Sequence, residues 1–156
     1  MNSREQFDAA MERYAIVTQV DTYIDALNHR DWDRFGAVLA EDLVWSCGAP
    51  FDARVESRAA MLEIVKTHQE TVYDFVFQMG HGVVVHELEG DRARVRHTLQ
   101  EFSSDFMMIG LYYDELRKEA DGVWRFTRRD FRTTYFESVH PRGDVYRRLP
   151  DRAARA

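Results

Sequence analysis

Residues 93–101 read Ala-Arg-Val-Arg-His-Thr-Leu-Gln-Glu, and the alternation in this stretch decides the fold class. Successive side chains of a strand point to opposite faces, so Ala93, Val95, His97, Leu99 and Glu101 share one face while Arg94, Arg96, Thr98 and Gln100 share the other. An imidazole and a carboxylate thus lie on the apolar side. Burying either costs several kcal/mol unless it is paired or hydrogen-bonded. A satisfied core histidine beside a strand-end glutamate, or the polar wall of a pocket, accounts for the pattern equally well.

Outward from this stretch, β-branched and aromatic runs recur at 72–79, 83–88, 107–116 and 123–136, which predicts five strands or strand pieces. Glu89-Gly90-Asp91 and Ala120-Asp121-Gly122 separate runs with residues that tolerate tight hairpin turns. Towards the N-terminus the period changes. Phe7, Ala10, Met11, Tyr14, Val17, Val20, Ile24 and Leu27 recur at helical spacing, with Ser3 available as an N-cap. Asp31-Trp32-Asp33-Arg34-Phe35 opens a second, short helix running through Ala40, and 43–46 reads as a strand. Ser57 caps a third helix with Ala60, Met61, Ile64, Val65 and His68 on its buried stripe. Helices followed by an antiparallel meander make an α+β order, in which three helices cover one face of a curved sheet.

The chain has 156 residues, enough for one domain with a sizeable core, and its 45% hydrophobic content is that of a folded protein. The domain is expected over 1–140. Residues 141–156 carry five Arg against two Asp and are expected to form an arginine-rich C-terminal arm. A formal charge of −6, with no basic stripe in the body of the chain, argues against nucleic acid as a partner. The skew of 19 Arg to 2 Lys carries little functional information. One cysteine, Cys47, forms no internal disulfide and no cysteine metal site. No apolar run approaches about 18 residues and the N-terminus is polar, so no membrane span or secretory leader is expected and the cytoplasm is the expected compartment.

Motifs for metal, phosphate and nucleophile chemistry are not found. The six histidines, 29, 68, 81, 86, 97 and 140, include no i,i+4 helical pair, and no Gly-rich phosphate loop or Gly-x-Ser-x-Gly elbow occurs. No metal and no cofactor is expected. Tyr23 flanks Ile24 and Leu27 on the first helix, Asn28 is suited to ending that helix in the left-handed region, and Trp45 and Tyr113 are core aromatics or pocket wall.

The order of Asn28-His29-Arg30-Asp31-Trp32-Asp33-Arg34-Phe35, Ala40-Glu41-Asp42-Leu43-Val44-Trp45, Glu89-Gly90-Asp91-Arg92-Ala93-Arg94-Val95 and Ala120-Asp121-Gly122-Val123-Trp124-Arg125-Phe126 resembles the SnoaL-like, nuclear transport factor 2-like superfamily. The resemblance implies a conical, mostly antiparallel sheet around a cavity. It is strongest towards the scytalone dehydratase and hexachlorocyclohexane dehydrochlorinase branches, which eliminate water or HCl without a cofactor. Those enzymes pair a helix carboxylate with a strand histidine. Here Asn28 and Gln78 stand at the two positions, and an amide takes up no proton near neutral pH. Asp25 and His81 are the nearest residues of the required types. The resemblance carries a pocket histidine onto His97, a polar or aromatic pocket residue onto Tyr23 and a pocket arginine onto Arg129.

The resemblance, with the polar residues on apolar parities, implies a cofactor-independent lyase, isomerase or cyclase, and the resemblance alone implies a small, largely apolar oxygenated substrate of polyketide or terpenoid type. His97 with Glu101 would supply acid/base chemistry, and Tyr23 and Arg129 would stabilise an oxyanion. Asn28, Trp45, Gln78 and Tyr113 would hold the substrate. Two alternatives stand beside it: a non-catalytic binder that kept the cavity, and the structural small subunit of an aromatic-ring dioxygenase. A homodimer or homotrimer is expected, since Phe102, Tyr112, Phe126 and Phe136 facing outward would leave an apolar patch in water.

Overall fold

Asn2, one residue before the expected cap, starts the first helix. Its side chain accepts from the backbone N–H groups of Arg4 and Glu5, and Glu5 reaches back to the Asn2 N–H, closing a capping box. The computed structural model describes residues 2–139. Helix α1 runs over Ser3–His29 and ends at Arg30, which adopts φ 55° and ψ 33°. The left-handed terminator is therefore Arg30, and Asn28 stays helical. Ile16, Val20, Tyr23, Ala26 and Leu27 form the buried stripe, whereas Phe7, Met11 and Tyr14 are exposed. Asp31 caps α2 (Trp32–Ala37), shorter than expected because the chain turns extended at Leu39.

Strand β1 (Leu39–Cys47) is followed by β2 (Ala53–Glu56), a short edge strand absent from the sequence reading. Ser57 then caps α3 (Arg58–Thr67), as expected, and a π-helical turn over His68–Val72 continues it. On α3 only Met61 and Val65 are fully buried; Ala60 and His68 are exposed.

The two runs at 72–79 and 83–88 form one strand, β3 (Val76–Glu89), whose register shifts between His81 and Val84 around Gly82 at φ +61°. It pairs with β4 (Arg92–Ser103), then β5 (Phe106–Lys118) and β6 (Trp124–Ser138), each antiparallel. Gly90 and Gly122, both at positive φ, occupy the two expected turns. The sheet order is β2-β1-β6-β5-β4-β3, with β1 and β6 parallel, so the sheet curves around the helices without closing. The main core lies between α1 and the concave face, with Phe35, Leu43, Val95, Leu116, Trp124 and Phe126 among its buried members.

Tyr112 and Phe126 belong to this inner side, 3% and 0% exposed, which corrects their outward assignment. Phe136 packs on Phe106 and Phe51 at one end of the sheet. The outer face instead carries Phe77, Leu111, Tyr113 and Tyr135. No helix among the described residues is long and apolar enough to cross a membrane. The expected arm at 141–156 lies outside the described residues.

Candidate active site

A cavity of about 190 Å³ opens between the concave face, the end of α1, α3 and the π-helical turn. Leu27, Trp45, Met61, Val65, Met108 and Phe131 make much of its wall, and the polar groups Tyr23, Gln69, Gln78, Glu101 and Tyr112 interrupt it. His68, Tyr73, Phe51 and Phe106 also line it, joined by ring contacts of 5.5–5.7 Å.

Glu101 lies on the concave side of β4 for the parity reason given above. Directly across the ladder stands Gln78 of β3, whose Nε2 donates to Glu101 Oε2. Burial among apolar groups lifts the Glu101 carboxyl to about 7, and the Gln78 hydrogen bond pulls only partly against it. A carboxyl in that range exchanges protons readily at neutral pH. Asn28 does not reach the cavity. Its Nδ2 donates to the Gln78 carbonyl at 2.8 Å and its Oδ1 accepts from the Gln78 N–H at 2.8 Å, so both ends of the amide fasten α1 to β3. This corrects the substrate-holding role expected for Asn28. It also fixes the backbone that carries Gln78.

Deeper in the fold Asp114 of β5 and Arg129 of β6 face each other across the ladder. Arg129 donates from Nε at 2.9 Å and Nη2 at 3.1 Å, both side chains being fully buried. Burial alone would raise the Asp114 carboxyl, but Arg129 and then His97 outweigh it and hold the group below its usual range. Asp114 also holds the Arg129 guanidinium charged against the opposing effect of burial. His97 completes this cluster. Its Nε2 lies 3.0 Å from Arg129 Nη2 and 3.3 Å from Asp114 Oδ2, and its Nδ1 is 3.3 Å from the Thr98 carbonyl.

The expected His97–Glu101 pair therefore does not form. Residues four apart on a strand share a face but lie roughly 13 Å apart, and Leu99 stands between them. His97 is absent from the cavity wall and stacks on Tyr112 with ring centroids 5.2 Å apart.

The Arg129 guanidinium is sandwiched between the rings of Tyr23 and Tyr112, 3.9 Å and 4.1 Å from their centroids. Trp45 Nε1 donates to the Tyr112 hydroxyl at 3.0 Å, and Tyr112 is hydrogen-bonded in turn to Tyr23. Trp45 only donates and so fills one lone pair of the Tyr112 oxygen; the Tyr112 O–H and its second lone pair remain, and Tyr23 stands beside it on the cavity wall with an O–H of its own. Burial pushes the Tyr23 phenol up to about 12, against the pull of Arg129, so it stays a proton-bearing donor.

Three expected positions fall elsewhere. Tyr113 sits on the outer face under Arg132, 37% exposed, so Tyr112 and not Tyr113 is the tyrosine of the cavity. Asp25 is half-buried and paired with Arg34 at 2.8 Å and His29 at 3.1 Å. His81 is exposed on β3. Sequence reasoning missed Gln69, which the π-helical turn carries inward, and Asp114 and Tyr112, which the parity of residues 107–116 would have placed on one face. Among the described residues no group of three or more His, Cys, Asp or Glu is arranged to hold a metal ion.

Residues 8–130 match the family described as the SnoaL-like domain. No curated protein sequence matches the chain. Among solved structures it is similar to a protein from Novosphingobium aromaticivorans provisionally named a scytalone dehydratase, with 21% identity and a TM-score of 0.73 over 90% of this chain and 97% of that one. It is also similar to hexachlorocyclohexane dehydrochlorinase LinA-type3 from Novosphingobium barchaimii, with 16% identity and a TM-score of 0.76 over 89% and 99% of the two chains. At these identities the likeness is one of fold.

Proposed function

The chain belongs to the SnoaL-like domain family, and from that premise we propose that it is a cofactor-independent lyase, isomerase or cyclase acting on a small, largely apolar oxygenated molecule. The carrying observation is the Glu101 carboxyl buried beside Gln78 in a mostly apolar cavity, surroundings that lift it to about 7. Glu101 is the acid/base. As a carboxylate it takes a proton from a carbon next to a substrate carbonyl, and the C–H electrons move onto the carbonyl oxygen. Tyr23, backed by Trp45 and Tyr112, donates a hydrogen bond to that oxygen as charge develops. Glu101 then returns the proton to another carbon, giving isomerisation, or to a departing hydroxyl, giving water and a double bond.

Arg129 acts behind Tyr23 and Tyr112 as a positioning charge, and His97 with Asp114 holds that charge in place. The dehydratase and dehydrochlorinase named among the similar folds support the lyase-type reading, while oxygenated polyketide- or terpenoid-like molecules suit the mixture of hydrocarbon wall and isolated polar groups. Amides at 28 and 78 favour a second reading, a binder without turnover.

Deuterium uptake separates the two readings without knowledge of the natural substrate. Acetophenone in D2O has exchangeable methyl protons beside its carbonyl, and proton NMR follows their loss. The proposed acid/base role predicts exchange above the buffer rate that falls at least about 100-fold in Glu101→Gln. Equal rates in both proteins, together with measurable binding of acetophenone, would favour the binder.

A further inference from the structure

Two buried amide atoms of residues that line the cavity have no hydrogen-bond partner among the described residues: Gln69 Nε2 and Gln78 Oε1. Their residues are 3% and 6% exposed, so bulk water does not serve them. Such atoms are costly to leave unmade, and native proteins keep few of them. Both residues are anchored through their backbones. Gln78 is held by Asn28 through its backbone and by Glu101 through Nε2, and an ionised carboxylate only accepts, so the carbonyl end of Gln78 is left over. Gln69 is held from the other side, where Arg30 Nη2 donates to its backbone carbonyl at 2.8 Å and ties the π-helical turn to the end of α1. The wider turn departs from the helical path at that residue, a feature often found at functional sites.

The cavity is thus lined by residues that carry one unpaired donor and one unpaired acceptor, in surroundings that are otherwise mostly hydrocarbon, with Glu101 bonded to the residue that carries the acceptor. Its size limits the ligand. An apolar cavity of about 150 Å³ holds benzene, so about 190 Å³ holds one substituted ring. We propose that Gln69 and Gln78 are specificity-determining residues that select a ring-sized molecule bearing both a carbonyl oxygen, accepting from Gln69 Nε2, and a hydroxyl, donating to Gln78 Oε1. A carbonyl oxygen has two lone pairs, so accepting from Gln69 leaves room for Tyr23. This selection rests on the cavity being the substrate site.

Four matched probes test it: 3-hydroxyacetophenone, acetophenone, 3-ethylphenol and ethylbenzene, which carry both groups, the carbonyl alone, the hydroxyl alone and neither. Their affinities are measured by NMR titration against the wild type, Gln69→Met and Gln78→Met. The wild type is expected to prefer 3-hydroxyacetophenone over each single-group probe by about five- to tenfold. Gln69→Met is expected to lose that factor for the two carbonyl probes and not for 3-ethylphenol, and Gln78→Met for the two hydroxyl probes and not for acetophenone.

Ratios within one variant are unaffected by a uniform loosening of the fold. Should Gln69→Met fail to fold, Gln69→Glu, assayed above pH 8, removes the same donor at equal size. Equal affinity for all four probes, or equal losses across them in the variants, would overturn the assignment of the glutamines while leaving the cavity as a hydrocarbon site. Binding of none, ethylbenzene included, would overturn both it and the reading of the cavity.

Discussion

At the scale of single residues, what decides chemistry is how far each polar group lies from water and from its partner. Glu101 titrates near 4.5 in an unfolded chain and at about 7 in the fold, so the folded state binds its proton more tightly. Its contribution to stability is fully present below pH 4.5 and is lost as pH rises through 7. Relative to Glu101→Gln, the wild type is expected to lose roughly 3 kcal/mol between pH 4 and pH 8, measured by urea unfolding at a series of pH values. A constant difference between the two proteins would remove the shift. For a base acting in the free enzyme, kcat/KM on any substrate found should rise with pH through the same midpoint.

Arg129 gives the opposite kind of prediction. Arg129→Met leaves Asp114 buried without its guanidinium partner and should cost about 3–5 kcal/mol, with unfolding midpoints as the readout. A loss under about 1 kcal/mol would show that Asp114 has another partner. The parity of residues 93–101 was sufficient to turn His97 and Glu101 inward. It could not assign their partners, because Gln78, Asp114 and Arg129 reach them through strand register, a property of long-range pairing that alternation does not encode.

Among the elements, the join between α1 and β3 positions the site. Asn28 satisfies both backbone groups of Gln78 from a helix 50 residues earlier in the chain. Asn28→Ala should cost about 1–3 kcal/mol, since two buried backbone groups lose their partner. Asn28→Asp keeps the acceptor but sets a carboxylate against the Gln78 carbonyl, so it should not rescue the loss. Chemical denaturation of the three proteins checks the order. Gly110 is a second point of constraint: a Cβ there would meet the Arg132 carbonyl and the Phe131 ring of the adjoining strand. Gly110→Ala should therefore open the β5–β6 pairing near the cavity and lower the melting temperature by several degrees.

The helices and hairpins were legible because each is written in a local period or a local turn. The edge strand β2 and the merging of two runs into β3 were not. β2 is held by pairing to β1 over only four residues, and the break in β3 is a register irregularity bridged by neighbours.

For the molecule as a whole, the curved sheet has two faces with different tasks. The concave side holds the cavity. The outer side presents Phe77, Leu111, Tyr113 and Tyr135 at 37–47% exposure, and the register sets Ile109 beside Tyr135 and Phe102 beside Phe77. These residues support the proposal that a second copy of the chain covers this face. Native mass spectrometry should then show a dimer or trimer, and Leu111→Lys with Tyr135→Lys should shift it to monomer while probe binding in the cavity persists. A wild-type monomer at micromolar concentration would count against that association.

The proposed chemistry requires the Glu101 carboxyl to titrate near neutrality inside a cavity that small molecules enter. Carbon-13 NMR titration of that carboxyl, assigned by comparison with Glu101→Gln and repeated with acetophenone present, reads both properties at once. The expected result is a midpoint near 7, with the resonance displaced by the ligand. A midpoint near 4.5 that acetophenone leaves untouched would contradict it.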